Sequence, residues 1–437
     1  MLDEPALSDF EAQLGRAAVR AVVRAVLDAA RCNLERDSAA PSAAAIAAEA
    51  ARRLAGAVAP AYPAVINATG VLIHTNLGRA PRLEVSPPGY LALEYDLGAG
   101  ERGERLAPVL DRIRRYFAAE AATVVTNNAA ALFLLLAAHA AGRDVVVSRG
   151  ELIEIGGSFR LPEIMRAAGA RLVEVGCTNR THLSDYEDAI GPDTAAILIA
   201  HRSNFHLSGF VSTPPVGEVV AAGRRRGVPV WVDQGSGCHL DLSRWGLARE
   251  ATVQELVATG ADAVLFSGDK LIGGPQAGIV VGSAATIAAL RRHPLRRALR
   301  PDKAALVALA ATLDACLAGR IEDVPLYRLL GAPEADLRRR ARRLAAGLRR
   351  AGHEAHAIAC RAVVGGGTTP DQTLPSWAVA LPGSDALAAR LRAGMPPVVA
   401  RIEDGQVLVD LRAVFPEQDR ALASALASTL AAAAVSA

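Results

Sequence analysis

The sequence predicts an α/β fold whose large domain holds a mostly parallel sheet, and three observations point to it. Between residues 61 and 305 short apolar runs alternate with helical stretches: AATVVT, DVVVS, ARLVEVG, TAAILIA, VPVWVD, ADAVLFS and AGIVVG. Alternation of this kind reads as strands and helices of a sheet covered on both faces. Polar and glycine residues follow several runs directly, as in Asn127-Asn128, Arg149-Gly150, Asp233-Gln234-Gly235 and Ser267-Gly268. In open α/β sheets the ligand crevice lies at the carboxyl ends of the strands, so these clusters are expected to converge. Finally, 437 residues are too many for one core, which predicts further units on either side.

The N-terminal module, residues 1–60, reads as helices. AAVRAVVRAVLDAARCNLE has apolar positions at helical spacing with arginines between them. PSAAAIAAEAARRLAG starts a second helix at Pro41 and Ser42 and is expected to end at Gly56. Pro60 and Pro63 mark a linker, and the separation of this arginine-bearing module suggests docking. Residues 306–437 contain a long helix, DLRRRARRLAAGLRRAG, and short strands in WAVAL, PPVVARIE and QVLVDLRAV. Asp404-Gly405 between the last two is a hairpin signal, because both central residues of the favoured turn need positive φ. This part reads as a small α+β domain.

Composition narrows the function. The chain is 51% hydrophobic and 21% charged, an ordinary globular balance, with a net charge of +3. No global polycation announces nucleic acid, so any RNA contact must come from local arginines. Aromatic residues, at 4%, are too few for a surface that stacks single-stranded bases. Five scattered cysteines lack metal-ligand spacing and fit a reducing, cytoplasmic compartment. The N-terminus is acidic where a signal peptide needs a basic start. The longest apolar stretch, Ala129 to Ala141, is too short to span a bilayer, so no membrane association is expected.

Of the 48 basic residues only Lys270 and Lys303 are lysines, leaving 46 arginines. Guanidinium stays protonated, whereas a lysine amine can lose its proton and attack a carbonyl. Lys270 stands three residues past Ser267 at a strand end, so a hydroxyl there can reach a phosphate while the amine reaches an aldehyde. Asp233, ending VPVWVD, can hold a pyridine nitrogen protonated and make the ring an electron sink. In TNNAAALFLLLAAHAAG a strand end runs into a helix, where the amides of Asn128 and Ala129, next to Asn127, can meet a phosphate. Taken alone, Asp233 reads more readily as a turn cap and Asn128 as a helix cap. Their order with Lys270 points to pyridoxal 5'-phosphate.

The segments PAVINATGVLIHTNLGRAP, SRGELIEIGGSFRLPEIMRAAG, CTNRTHLSDY, DQGSGCHLDLSRWG, FSGDKLIGGPQAGIVVG and HPLRRALRPDK resemble the bacterial L-seryl-tRNA(Sec) selenium transferases, the selenocysteine synthases. The resemblance runs from about Val65 to Leu411. It implies a fold-type I pyridoxal-phosphate enzyme with Lys270 as the Schiff-base lysine and Asp269 as a second acid/base or an orienting residue. It implies that seryl-tRNA(Sec) loses its Cα proton and then its β-hydroxyl, leaving an aminoacrylate to which selenium from selenophosphate adds. Arg79, Arg297 and Arg300 match the arginines of the family's anion pocket, and only a short helical piece fits between Pro294 and Pro301. His74, His201 and Arg202 also fall in matching segments, His201 as a residue that stacks on the cofactor ring or serves structurally. The family assembles as rings of dimers, so a homo-oligomer is expected.

Two departures stand out. The stretch from Ala80 to Leu93 is shorter than the family pattern and too proline-rich for the helix usual there, and the N-terminal module, which the family uses to hold tRNA, is short. Two other readings compete: a lyase acting on a small phosphorylated amino sugar or amino acid, and a non-catalytic RNA-binding protein on the same scaffold. The N-terminal helices and the arginine set favour the transferase over the lyase. Lys270, Asp233 and the phosphate helix oppose the silent scaffold.

Overall fold

The computed structural model describes residues 5–34, 40–58, 60–85, 89–156 and 159–435. The chain divides into two compact units, Met1–Val65 and Ile66–Ala437. Among its described residues the first unit has three helices, α1 (Pro5–Leu14), α2 (Arg16–Leu34) and α3 (Ala43–Val58), one more than the periodicity predicts. Gly15, at φ 81°, breaks α1 from α2. The hydroxyl of Ser42 accepts from the Ala45 amide and caps α3, which passes through Gly56 instead of ending there. The apolar spacing of α2 buries Val19, Val23 and Val26 against Leu7, Ile46 and Leu54.

Among its described residues the second unit contains two large sheets and two two-stranded ones. Its principal strands are β1 (Ile66–Ala68), β2 (Val71–Ile73), β3 (Ala121–Val125), β4 (Asp144–Ser148), β5 (Arg171–Val175), β6 (Thr194–Ala200), β7 (Val230–Gly235), β8 (Ala263–Ser267), β9 (Gly278–Gly282), β10 (His356–Gly365), β11 (Thr373–Pro382), β12 (Val398–Glu403) and β13 (Gln406–Asp410). The larger sheet has seven strands in the order β3-β9-β8-β7-β6-β4-β5. All seven apolar runs named above form it. Pairs are parallel except at β9, which runs against both β8 and β3. Buried on both faces, such strands read as continuous apolar runs; every residue of β6 and β8 is buried. Helix α4 (Ala107–Phe117) packs into the core on one face and α5 (Asn128–His139) into the core on the other.

The smaller sheet has six strands in the order β1-β12-β13-β11-β10-β2. The long helix α6 (Glu334–Arg350) and the closing helix α7 (Asp419–Val435) cover it, sharing a core with Leu381, Val398 and Val409. Asp404 and Gly405 turn between β12 and β13 at φ 50° and 72°. Residues 66–73 supply both edge strands, so this layer reaches back before the larger sheet and is not built from residues after 305 alone. No helix lies among the described residues of 80–93. Among the described residues no helix is long and apolar enough to cross a membrane.

Candidate active site

Because β9 runs antiparallel, β3, β6, β7 and β8 all end at the same edge of the larger sheet, and a cavity of about 220 Å³ lies there. It is lined by Ser267 at the end of β8, Lys270 after it, Asp233 from β7, and His201 after β6. Asn127, Asn128 and Ala129 close it at the start of α5, and Arg79 reaches in from the turn after β2. Eight residues singled out from the sequence therefore meet around one space. Ser203, Gln276, Ile153 and Phe159, which the sequence did not single out, complete parts of the wall.

The loop after β8 is held by its backbone. Gly268 donates to Ala277 at 2.8 Å, Gly274 to Gly268 at 2.9 Å and Leu271 to Ser236 at 2.9 Å. Lys270 is left 6% exposed. Burial lowers its affinity for a proton, the Arg79 guanidinium lowers it further, and the carboxylates of Asp233, Asp269 and Glu250 oppose them. Asp233 is buried too, and burial pushes its carboxyl up against the pull of Asn128 and Lys270. Burial, with Lys270 and Arg202 nearby, holds His201 down at about 4, so its ring is neutral at ordinary pH.

Asn127 is the cap of α5, its side chain accepting from the Ala130 amide at 2.8 Å. Asn128 instead turns its Nδ2 to Asp233 Oδ1 at 2.8 Å. The amides of Asn128 and Ala129 have no acceptor within the helix, as at any helix start. A lysine held from permanent charge, a fixed carboxylate, a strand-end hydroxyl and an open helix N-terminus are the partners a pyridoxal phosphate needs, and they fit it.

Other expected residues are placed differently. Asp269 does not line the cavity. Its Oδ2 accepts from Arg79 Nη1 at 2.9 Å and its carbonyl from the Ala80 amide at 3.1 Å, so it ties the turn after β2 to the lysine loop. Arg79 itself has φ 66°. Arg297 and Arg300 line a separate cavity of about 360 Å³ together with Arg296, Glu94 and Glu104. The short helix Leu295–Ala298 carries Arg297, and the Leu299 carbonyl takes the Thr126 amide at 3.0 Å, which pins this segment beside β3. His74 contributes its carbonyl, accepting from Leu77 and Arg79. Arg202 donates to Gly150 O and Thr213 Oγ1. Lys303 sits exposed at the start of a helix capped by Asp302.

The loop Gly365-Gly366-Gly367 after β10 also belongs to the site. Gly367 has φ 78°, and a Cβ there would stand 2.7 Å from Lys270 Nζ. Three successive glycines were the available signal, since close approach to another group is a standard reason for glycine.

Fold and cavity together define the class: a fold-type I pyridoxal-phosphate enzyme, a transferase by the family to which the chain belongs. That family is L-seryl-tRNA selenium transferase, whose model matches residues 65–415, and a selenocysteine synthase N-terminal model matches residues 1–31. The chain is 45% identical to the L-seryl-tRNA(Sec) selenium transferase of Solidesulfovibrio magneticus, over 95% of this chain and 93% of that one. It is 44% identical to the protein of that name from Geobacter sulfurreducens, over 94% and 93%. The structure of a D-glucosaminate-6-phosphate ammonia-lyase shares the fold with a TM-score of 0.60 and 22% identity, over 85% of this chain and 97% of that one.

Proposed function

We propose that the chain converts L-seryl-tRNA(Sec) into L-selenocysteinyl-tRNA(Sec) with selenophosphate as the selenium donor, in the cytoplasm and as a homo-oligomer. One observation carries the reading: the family match runs through a buried cavity in which Lys270, the Asp233–Asn128 pair and the start of α5 converge. Bound pyridoxal phosphate supplies an electron sink for a serine whose Cα proton is removed. The chain's own residues do the rest. Asn128 fixes the Asp233 carboxylate, which holds a pyridine nitrogen protonated. The Asn128 and Ala129 amides and the Ser267 hydroxyl bind phosphate. His201, uncharged, offers a flat face to the ring. The Lys270 amine takes the Cα proton and returns a proton to the β-hydroxyl, which departs as water.

Asp269 orients Arg79, whose guanidinium stands at the cavity as a fork for the donor anion. Arg297 and Arg300 serve the same anion through assembly, with the arginine cavity of one copy brought against the lysine cavity of another. The module of residues 1–60 holds the tRNA. The deciding experiment offers the holoenzyme seryl-tRNA(Sec), serine-charged tRNA(Ser) and free serine, each with selenophosphate. Product from the first alone is expected. Turnover of free serine would make the protein an amino-acid lyase instead.

A further inference from the structure

Across His201 from the lysine cavity lies a larger one, of about 520 Å³, for which the proposed chemistry has no use. His201 lines both. Ile199, Val232 and Leu256 give the second cavity apolar walls. Three of its lining residues carry a buried polar atom without a hydrogen-bond partner in the protein: His201 Nδ1, Gln234 Oε1 and Thr369 Oγ1. Gln234 and Thr369 are 2% and 4% exposed. Buried polar groups are nearly always satisfied, so several orphans around one space call for a ligand.

The charges say which kind. Glu151 and Glu250 line the cavity, both carboxyls pushed by burial to about 7. Of the two arginines present, Arg202 is committed to Gly150 and Thr213, and Arg249 to Glu255. An anion would therefore meet two acids and no uncommitted cation. An uncharged heterocycle with hydrogen-bonding edges suits the site, with any phosphodiester attached to it left outside, since small-molecule pockets combine apolar walls with a few fixed polar groups. Size gives a second argument. Ligand pockets run about 300–1,000 Å³. The lysine cavity, at about 220 Å³, holds a cofactor and a serine side chain at most, whereas the second cavity falls within the range.

We propose that this second cavity takes the terminal adenosine of the substrate RNA and so presents its ester-linked serine past His201 to Lys270. The inference rests on the aminoacyl-tRNA reading above. Its test uses the holoenzyme and seryl-tRNA carrying 2-aminopurine in place of the terminal adenine. Binding to the wild type is expected to shield the fluorophore from acrylamide. Leu207→Trp, which fills the cavity from its lining, is expected to abolish that shielding and raise KM roughly tenfold, about the effect of losing one or two buried contacts. The cofactor absorbance and the rate at saturation should not change. Thr369→Val, a milder probe should the tryptophan disturb folding, is expected to raise KM about threefold. A fluorophore equally accessible free and bound, or variants with unaltered KM, would overturn the assignment. If the wild type instead turns over only free serine, the aminoacyl-tRNA reading has failed and this proposal falls with it.

Discussion

The cavity around Lys270 and the cavity around Arg297 and Arg300 both carry cations, and they are built in opposite ways. Around Lys270 the amine and the carboxylates of Asp233 and Asp269 are buried, with Arg79 partly exposed beside them, so desolvation dominates and the amine loses part of its hold on a proton. Around Arg297 and Arg300 the side chains are exposed and neighbouring guanidinium groups meet carboxylates: Arg300 with Glu94 at 3.2 Å, Arg291 with Glu104. The first arrangement creates reactivity. In the proposed function the second is a store of positive charge that an incoming dianion would claim by displacing a carboxylate. In the proposed reading the groups that act on the serine lie within one chain, while the arginine cavity stands apart from them.

The largest expected effect comes from removing the buried amine. Lys270→Ala should abolish borohydride-fixable cofactor and lower turnover on the order of a thousandfold or more. Covalent cofactor in this variant would end the Lys270 assignment. The same residue also predicts a pH effect on the apoprotein. Its folded pKa lies below the unfolded value, so between the two the unfolded chain binds the extra proton, and stability rises with pH through that window. Lys270→Met should therefore stabilise the apoprotein at neutral pH, by an amount that shrinks as pH climbs toward a lysine's ordinary value. Thermal melts at several pH values check this, and a destabilised Met variant would contradict it.

Next in size is the glycine loop. Gly367→Ala forces a side chain into left-handed backbone, about 1–2 kcal/mol, and drives it against Lys270 Nζ. Gly405→Ala has a similar φ, 72°, but nothing within 4 Å of the added carbon. Both should lose stability by about the same backbone term, while only Gly367→Ala should also weaken cofactor binding, by about tenfold or more. Equal cofactor titrations for the two would show that the loop does not press on the lysine.

What the sequence made legible follows from burial. The strands of the larger sheet are covered on both faces, and their apolar runs stand out without reference to anything distant. Lys270, Asp233 and Asn127-Asn128 were visible because each follows such a run. Strands β1 and β2 were not, since each is three residues long and exists by pairing with β12 or β10, more than 280 residues away. Strand β10 mixes exposed and half-buried positions, which blurs its period. The Asn128–Asp233 and Arg79–Asp269 contacts close over 105 and 190 residues, and no local pattern encodes them. Helix α1 was hidden by its short length and by the want of an apolar stripe as regular as that of α2.

The smallest structural effect should come from the arginine cavity, and it is the sharpest test of the contrast with the lysine cavity. Arg300 is half-exposed and its carboxylate partner, Glu94, also receives Arg102 and Arg105. Exposed pairs of this kind contribute about 0–1 kcal/mol, and here two other arginines remain to hold the acid. Arg300→Ala should therefore leave the melting temperature and the cofactor absorbance nearly unchanged. It should also leave consumption of the seryl substrate intact, because no step at Lys270 uses the guanidinium. Selenium incorporation should nonetheless fall, and raising the selenophosphate concentration should recover part of it, as expected when an anion site loses one of several cations. Measuring substrate loss and selenium gain in the same reaction separates the two. If both decline together, the arginines act at the reacting centre and the division between a reactive cavity and a charge store is wrong.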